Sequence, residues 1–526
     1  NYQDALAGCT VNAEINISHA TIKGAVFGGG EMASLGFKNT FGAIADGTGH
    51  AEIIIDEGTV IGTEYEFTVG EVANPGNWTF YDEQGKLLHT CTGNVTGGSQ
   101  GDVDPTCHAW VSMGHSKSSN VTINGGTIMG NVIGGPEQGL MTGNTHVTVH
   151  DGIIGTLVNP NNNPYYFGGV FGGGYGSDDS NENYDDSWND STNYRNALGL
   201  DWTPATMAGR VYGNTLVDIL GGTVCGDVFG GGEAAFVGYE LGSSKGDVTV
   251  NVGAPPVAPS TTPTGSATFH SNVYGANKFR ATPYGNATVN VYSTAHTGEP
   301  INNAGGDSYP TVPNTPNGLT PEWLSSIPHS ENNFAIYQVF GGSYKYDYTP
   351  HVNKEATVNV FYCDLNTVYE VYGGSDAANV GKSTGYTTDA NVNIYGGRMH
   401  HVFGGGNGQI QPAFVYGTAN TSVYGGLIDE LYGGGNAQGG VNATNLLVNG
   451  DGECNLLIID TIYGGGNVVP VIGDVVTTIE CGEGTYGTFY GGSHQADILG
   501  SVTVNVFGGT FDYLFAGSKG TPDYQG

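Results

Sequence analysis

The stretch from Val217 to Gly232, VDILGGTVCGDVFGGG, decides the fold of this chain. Val217 and Ile219 flank Asp218, a period-two alternation that makes a β-strand with one apolar face. Gly221 and Gly222 follow, and residues without a Cβ accept the positive φ of a sharp turn. A short second strand from Thr223 then ends on an aliphatic residue, an aromatic residue and three glycines, Val228-Phe229-Gly-Gly-Gly. One such unit cannot bury its apolar face alone. It needs units of the same kind stacked against it.

Working outward, the unit recurs as VTINGGTIMGNVIGG from Val121, VNIYGGRMHHVFGGG from Val392, SVYGGLIDELYGGG from Ser422 and VTVNVFGGTFDYLFAG from Val502. Second halves end at Phe27, Phe171, Phe229, Tyr274, Phe340, Tyr372, Phe403, Tyr432, Tyr463, Tyr490 and Phe515. Degenerate copies near Ile53 and Ile133 bring the total to about thirteen. The pattern predicts an all-β chain, a single parallel β-solenoid running continuously over 1–526. Stacked at ~4.8 Å per coil, it would form a rod about 60 Å long. A helical reading fails because no segment holds a 3.6-residue period for three turns. A β-propeller fails because each blade needs four strands. Insertions near 62–119, 155–210, 253–271 and 293–335 fall mostly after the aromatic-glycine turn, which predicts large loops on one side of the rod.

The tandem VTVNVxGGTxxxVFGGG copies resemble the repeats of large bacterial surface β-helices, the adhesin-like and autotransporter-passenger-like proteins. The shared motif is architectural rather than catalytic. The resemblance implies an extracellular or cell-surface setting and names no ligand.

Composition narrows the function classes. Ninety-one glycines without a Gly-X-Y period exclude collagen, and abundant aromatic and β-branched residues exclude a flexible glycine linker. Fourteen Lys and Arg stand against 49 Asp and Glu, a formal charge of −35. Such a surface repels nucleic acid, anionic lipid and polyuronate unless cations intervene. No run approaches the ~18 apolar residues of a transmembrane helix. The start at Asn1, with neither Met nor a signal peptide, fits a processed protein or an excerpt of a longer one. Seven cysteines cannot all pair internally. Cys91 and Cys107 share one insertion and are the candidates for a local disulfide, whereas a strand cysteine such as Cys225 reads as a buried apolar residue.

Candidate sites each carry a structural alternative. In the second strand an aliphatic residue precedes the aromatic one, so Phe229, Tyr274, Phe340, Tyr372, Phe403, Tyr432, Tyr463 and Tyr490 are expected to form an outward ladder. An exposed row would hold sugar rings or another rod, and a row covered by insertions would be packing. Asn16, Asn251, Asn290, Asn359, Asn393 and Asn505 sit between apolar residues and predict a stacked amide ladder on the outer face. Asp178, Asp179, Asp185 and Asp186 concentrate carboxylates in one loop, either a solvated acidic loop or a Ca2+ site. His146 and His150 lie too far apart along a strand to share a metal, and His400 and His401 diverge.

An enzyme reading has little to stand on. The motif set of polygalacturonases is matched only partially, by Gly176-Ser-Asp-Asp179. A calcium-dependent lyase would have to draw its base from Arg195 or Arg210, beside the acidic loop. No HExxH or P-loop pattern occurs. Neither end shows a capping helix pattern, which suggests either further chain or head-to-tail stacking. The expectation is an extracellular structural or adhesive surface protein, self-associating head to tail or laterally into a filament, with no catalytic residue and no resident cofactor. The alternative is a carbohydrate-binding or calcium-dependent polysaccharide-cleaving β-helix. Partners would be copies of itself or host and microbial glycans, not nucleic acid.

Overall fold

The computed structural model describes residues 10–31, 33–37, 44–62, 72–73, 80–81, 87–88, 93–101, 114–158, 165–176, 208–238, 245–279, 281–294, 334–344, 351–352, 354–361, 366–383, 387–450, 457–480 and 484–520. They form an all-β parallel solenoid. Its long sheet runs in order through Ala13–Ile17, His50–Ile55, Ser118–Ile123, Thr145–Val149, Thr215–Ile219, Val248–Val252, Ala287–Val291, Ala356–Val360, Ala390–Ile394, Ala413–Val423, Gly439–Val448, Val475–Ile479 and Val502–Val506. These strands open coils 1 to 13. A second sheet of thirteen strands, the ring sheet, carries the aromatic-glycine ends from Val26–Phe27 to Thr510–Phe515. No helix among the described residues is long and apolar enough to cross a membrane.

A third, six-stranded sheet lies between these two in coils 1 to 6, from Thr21–Ile22 to Thr268–Phe269. From coil 7 onward the ring strands lengthen, as in Ile336–Phe340 and Thr367–Tyr372. Their first inward residues, Ile336, Val368, Met399 and Ile428, join the same core as Ile22, Ile61 and Phe269. Coils of both shapes therefore share one interior.

Every rung pairs in parallel, with like over like. Val250 faces Val217 on one side and Val289 on the other, and Asn251 faces Asp218 and Asn290. The inward Val and Ile of the inner strands are fully buried, among them Val217, Ile219, Val250, Val252, Val289 and Val291. The alternation read from single strands thus becomes rows along the axis that are mainly aliphatic, with buried Thr421 and Thr477 standing in one of them.

Two kinds of glycine do different work. Gly222, the second residue of the first glycine pair, has φ +77°, the left-handed turn that a side chain resists. Gly230, directly after Phe229, has no such φ. A Cβ there would run into the carbonyl oxygen of Gly275 one coil on. Gly275, Gly341, Gly373, Gly404, Gly433 and Gly464 repeat this close approach.

The insertions do not share one phase of the repeat. The chain leaves the coils after the short sheet (Val60–Ile61, and again at the antiparallel hairpin Thr156–Val158 with Tyr165–Phe167), after the ring sheet (beyond Gly176) and after the long sheet (beyond Thr294). These departures use more than one corner of the coil. Within 62–119, Val95–Thr96 is a ring-sheet rung pairing with Val26–Phe27 and Val132–Ile133, unmarked because Thr96 replaces the aromatic residue. Within 253–271, Thr268–Phe269 is likewise a rung.

Gly341→Ala should lower the melting temperature more than Tyr274→Ala, because it forces two backbones apart. Tyr274→Ala should cost about 3–5 kcal/mol as a buried ring lost from a packed row. Thermal melts followed by circular dichroism compare the two.

Candidate functional site

The ring ladder is real, but it is interior. Phe229, Tyr274, Phe340 and Tyr372 are completely buried, Phe403, Tyr432 and Tyr463 nearly so, and Tyr490 half-buried. From Phe171 to Phe515, successive rings stack at 4.6–5.2 Å with planes within 10°. Such pairs contribute about 0.5–1.5 kcal/mol each beyond area burial. The rings do point away from the aliphatic core, as alternation requires. They miss solvent because the segment after each aromatic-glycine turn folds back over them. Tyr344 meets Tyr274 edge-on at 5.5 Å, and Lys278 lies 4.7 Å from the Phe279 ring and 5.6 Å from Phe171 while pairing with Glu233 at 3.0 Å. Of the two readings of the ladder, a binding face and a packing face, its burial favours packing.

Beside the rings runs a polar network that crosses coils 7 to 10. Buried Glu370 accepts hydrogen bonds from Gln338 Nε2 (2.7 Å) and the Tyr372 hydroxyl (2.8 Å), and pairs with His401 Nδ1 (3.0 Å). His401 Nε2 reaches Glu430 at 3.2 Å, and the Tyr432 hydroxyl donates to Glu430 at 2.8 Å. Burial by itself would pull the His401 imidazole down, but its hydrogen bonds and charge pairing with Glu370 and Glu430 outweigh burial and raise it to about 9. Burial likewise pushes Glu430 up, and His401 with Tyr432 more than reverses this, to about 2. The imidazolium is clamped between two carboxylates, with both ring nitrogens used. This is a stapling arrangement. His400 turns instead to Asp429 at 2.6 Å and stacks on Tyr369 at 4.9 Å.

A second column lies just past the glycines. Asn407 donates to Asp376 (2.7 Å), Asn436 to Asn407 (2.9 Å) and Asn467 to Asn436 (2.9 Å), and His494 Nδ1 meets Asn467 Oδ1 at 2.8 Å. Asp376 is buried. Burial raises its carboxyl to about 7, against the Asn407 hydrogen bond and with the charges of Asp227 and Glu370 adding to the rise.

The outer face of the long sheet is the surface that repeats with a regular pattern. Asn251 donates to Asp218 (2.7 Å), Asn290 to Asn251 (2.9 Å), Asn359 to Asn290 (2.8 Å) and Asn393 to Asn359 (2.8 Å). Every amide nitrogen points to the preceding coil, and Asp218, which only accepts, starts the row. Asp218 takes His146 Nε2 on its other oxygen at 2.7 Å. Asn16 and Asn505 stand apart from this row, bonding Glu14 and Thr478. Alongside runs a row of Thr249, Thr288, Thr357, Asn391 and Asn420 in register. The residues after the strands add a further ring column, Tyr292–Phe361–Tyr395–Tyr424, stacked at 4.8–5.0 Å and half-buried. Nothing in the aromatic-glycine motif marks this column. Its signal is the aromatic residue directly after ATVNV, NVNI or TSV.

The remaining candidates divide. Asp178, Asp179, Asp185 and Asp186, Arg195, and Cys91 with Cys107 lie outside the described residues. Arg210 is buried among Tyr212, Phe236 and Tyr284 at 5.1–5.6 Å, with Nε bonded to the Gly238 carbonyl oxygen. That is a poor setting for a proton-abstracting base. Cys225 is buried, and burial pushes its thiol up to about 11. No group of three or more His, Cys, Asp or Glu suited to a metal ion occurs among the described residues. Comparison with protein-family models, curated proteins and solved structures finds no match to this chain.

His401 carries its charge more readily folded than unfolded, so its contribution to stability is complete below about pH 6.5 and disappears as pH rises through about 9. The protein should melt at a lower temperature at pH 10 than at pH 7, and His401→Gln should flatten that difference. Tyr372 and Tyr432, raised by burial and by the neighbouring carboxylates, stay neutral across the window.

Proposed function

We propose that this chain is the structural and adhesive rod of an extracellular surface protein, working without catalysis. The observation that supports this reading is the run of like side chains from coil to coil. The internal ring stack extends through coils 4 to 13, and the outer amide ladder from Asp218 to Asn393. A catalytic centre needs unlike groups gathered once. A load-bearing or surface-presenting rod needs like groups repeated, and this chain devotes its rows to repetition. Its partners in this reading are copies of itself or neutral glycans, since a charge of −35 disfavours nucleic acid.

Small-angle scattering and electron microscopy should show a rod whose solenoid is about 60 Å long, and incubation with polysaccharides should release no reducing ends. Steady release of reducing ends or unsaturated sugars would transfer the chain to the carbohydrate-cleaving class.

End-to-end association is a second element of the reading. On coil 13, Val502 is 37%, Val506 38%, Leu514 48% and Phe515 47% exposed, in rows that are buried in the inner coils. A further coil of the same repeat, from continuing chain or from a second copy, would cover them. Sedimentation velocity across a concentration series should show growing species that Leu514→Glu removes. A single sedimenting species at every concentration would discard this element and leave the rod intact.

A further inference from the structure

The two outward rows of the long sheet carry charge along only part of the rod, with exposed Glu355 at their margin accepting from Asn391 Nδ2 at 3.5 Å. In coils 1 to 5 the two outward rows carry Glu14, Glu52, His146 and Asp218, whereas from coil 6 to coil 10 they hold only Thr, Asn and Ser. We propose that these uncharged rows bind a neutral, linear, β-linked glycan laid along the solenoid axis. The proposal rests on the adhesive reading above and gives it a ligand class and a site.

The amide ladder supplies the polar half of the argument. A primary amide has two N–H donors and an oxygen with two lone pairs. Asn290 spends one N–H on Asn251 and receives one from Asn359, and Asn359 does the same between Asn290 and Asn393. Each keeps a further donor and a further lone pair, oriented alike in successive coils because the ladder has one polarity. The threonine hydroxyls at Thr249, Thr288 and Thr357 stand in register beside them. The result is a flat lattice of hydrogen-bonding groups that repeats once per coil, ~4.8 Å.

The ring column borders these rows with a line of aromatic edges, its ring faces being taken up by the stack itself. Tyr292, Phe361, Tyr395 and Tyr424 flank coils 7 to 10 immediately after the strands that bear these rows. A sugar presents hydroxyls at its edge and C–H groups on its faces, and it is recognised by polar side chains next to aromatic ones. An extended β-linked chain advances by nearly one coil per sugar, so each unit meets an equivalent set of groups. Weak contacts then add along the polymer, as linked sites do.

Charge selects among glycans. A polyuronate approaching a chain of net charge −35 is repelled, and a neutral polymer is not. The same repulsion disfavours a second copy on this face.

The test titrates the purified chain with neutral β-1,4-linked oligosaccharides of glucose, mannose and N-acetylglucosamine, from two to six units, and with polygalacturonate. At least one neutral series should bind with affinity that climbs with length, and polygalacturonate should not bind. Thr288→Lys combined with Thr357→Lys alters only outward positions and should weaken binding by about tenfold or more, with melting temperature and rod shape preserved. Should that double variant fail to fold, Tyr395→Leu provides the same readout. Absence of binding in all three neutral series overturns the proposal, as does binding that survives these substitutions in folded protein. A dimer dissolved by the lysine pair, without glycan binding, also overturns it and gives the face to a second copy. Each of these failures leaves the rod measurement standing, so the two readings fail separately.

Discussion

In-register parallel stacking is the constraint on which the rest of this molecule depends. Once Val250 must lie over Val217 and under Val289, every other position in the unit is also placed over its equivalent. A side chain that stacks well on itself is favoured thirteen times, and one that does not is disfavoured as often. Aliphatic residues make rows, aromatic residues make ring stacks, and asparagines make amide ladders. Lone charges fit badly in such columns. Where they occur inside, as at Glu370, His401 and Glu430, opposite signs alternate in adjacent coils, which satisfies the register and the charge together.

The ring-glycine corner shows how tightly the constraint binds sequence. Phe229 stacks on Tyr274 at 4.8 Å, and the glycines that follow let the backbone and its carbonyls pack at the same separation. The aromatic residue and the glycine are two parts of one solution: large flat groups that fill the coil spacing, next to a corner with no room for a Cβ. The covering segment then removes the rings from water, so the stack serves cohesion and not recognition.

Much of the fold was legible because the information is local. Val502-Thr-Val504-Asn-Val506 declares a half-buried strand, and the two glycine clusters declare the corners. The fate of the rings was not legible, since alternation shows which face a side chain takes and not what covers that face. The Gln338–Glu370–His401–Glu430 staple escaped because its members lie about one coil apart along the chain, interleaved with unrelated residues. The outer ring column escaped for another reason: Tyr292 and Phe361 follow the strand where a turn residue is expected, and only register shows them as neighbours. The amide ladder was legible in kind at Asn251, Asn290, Asn359 and Asn393. Its direction, and the role of Asp218 as its first rung, required coordinates.

The staggering of these columns has a mechanical meaning. The outer ladder spans coils 5 to 9, from Asp218 to Asn393, and the inner one spans coils 8 to 12, from Asp376 to His494. The ring stack runs past both, from coil 4 to coil 13. Fibres in a spliced rope overlap in the same way, so no single cross-section cuts all of them at an end. A solenoid with only nearest-neighbour contacts can shear between any two repeats. Here a break opened at any level from coil 5 to coil 12 must sever at least two columns that continue on both sides, and strain applied at one end is shared over many coils.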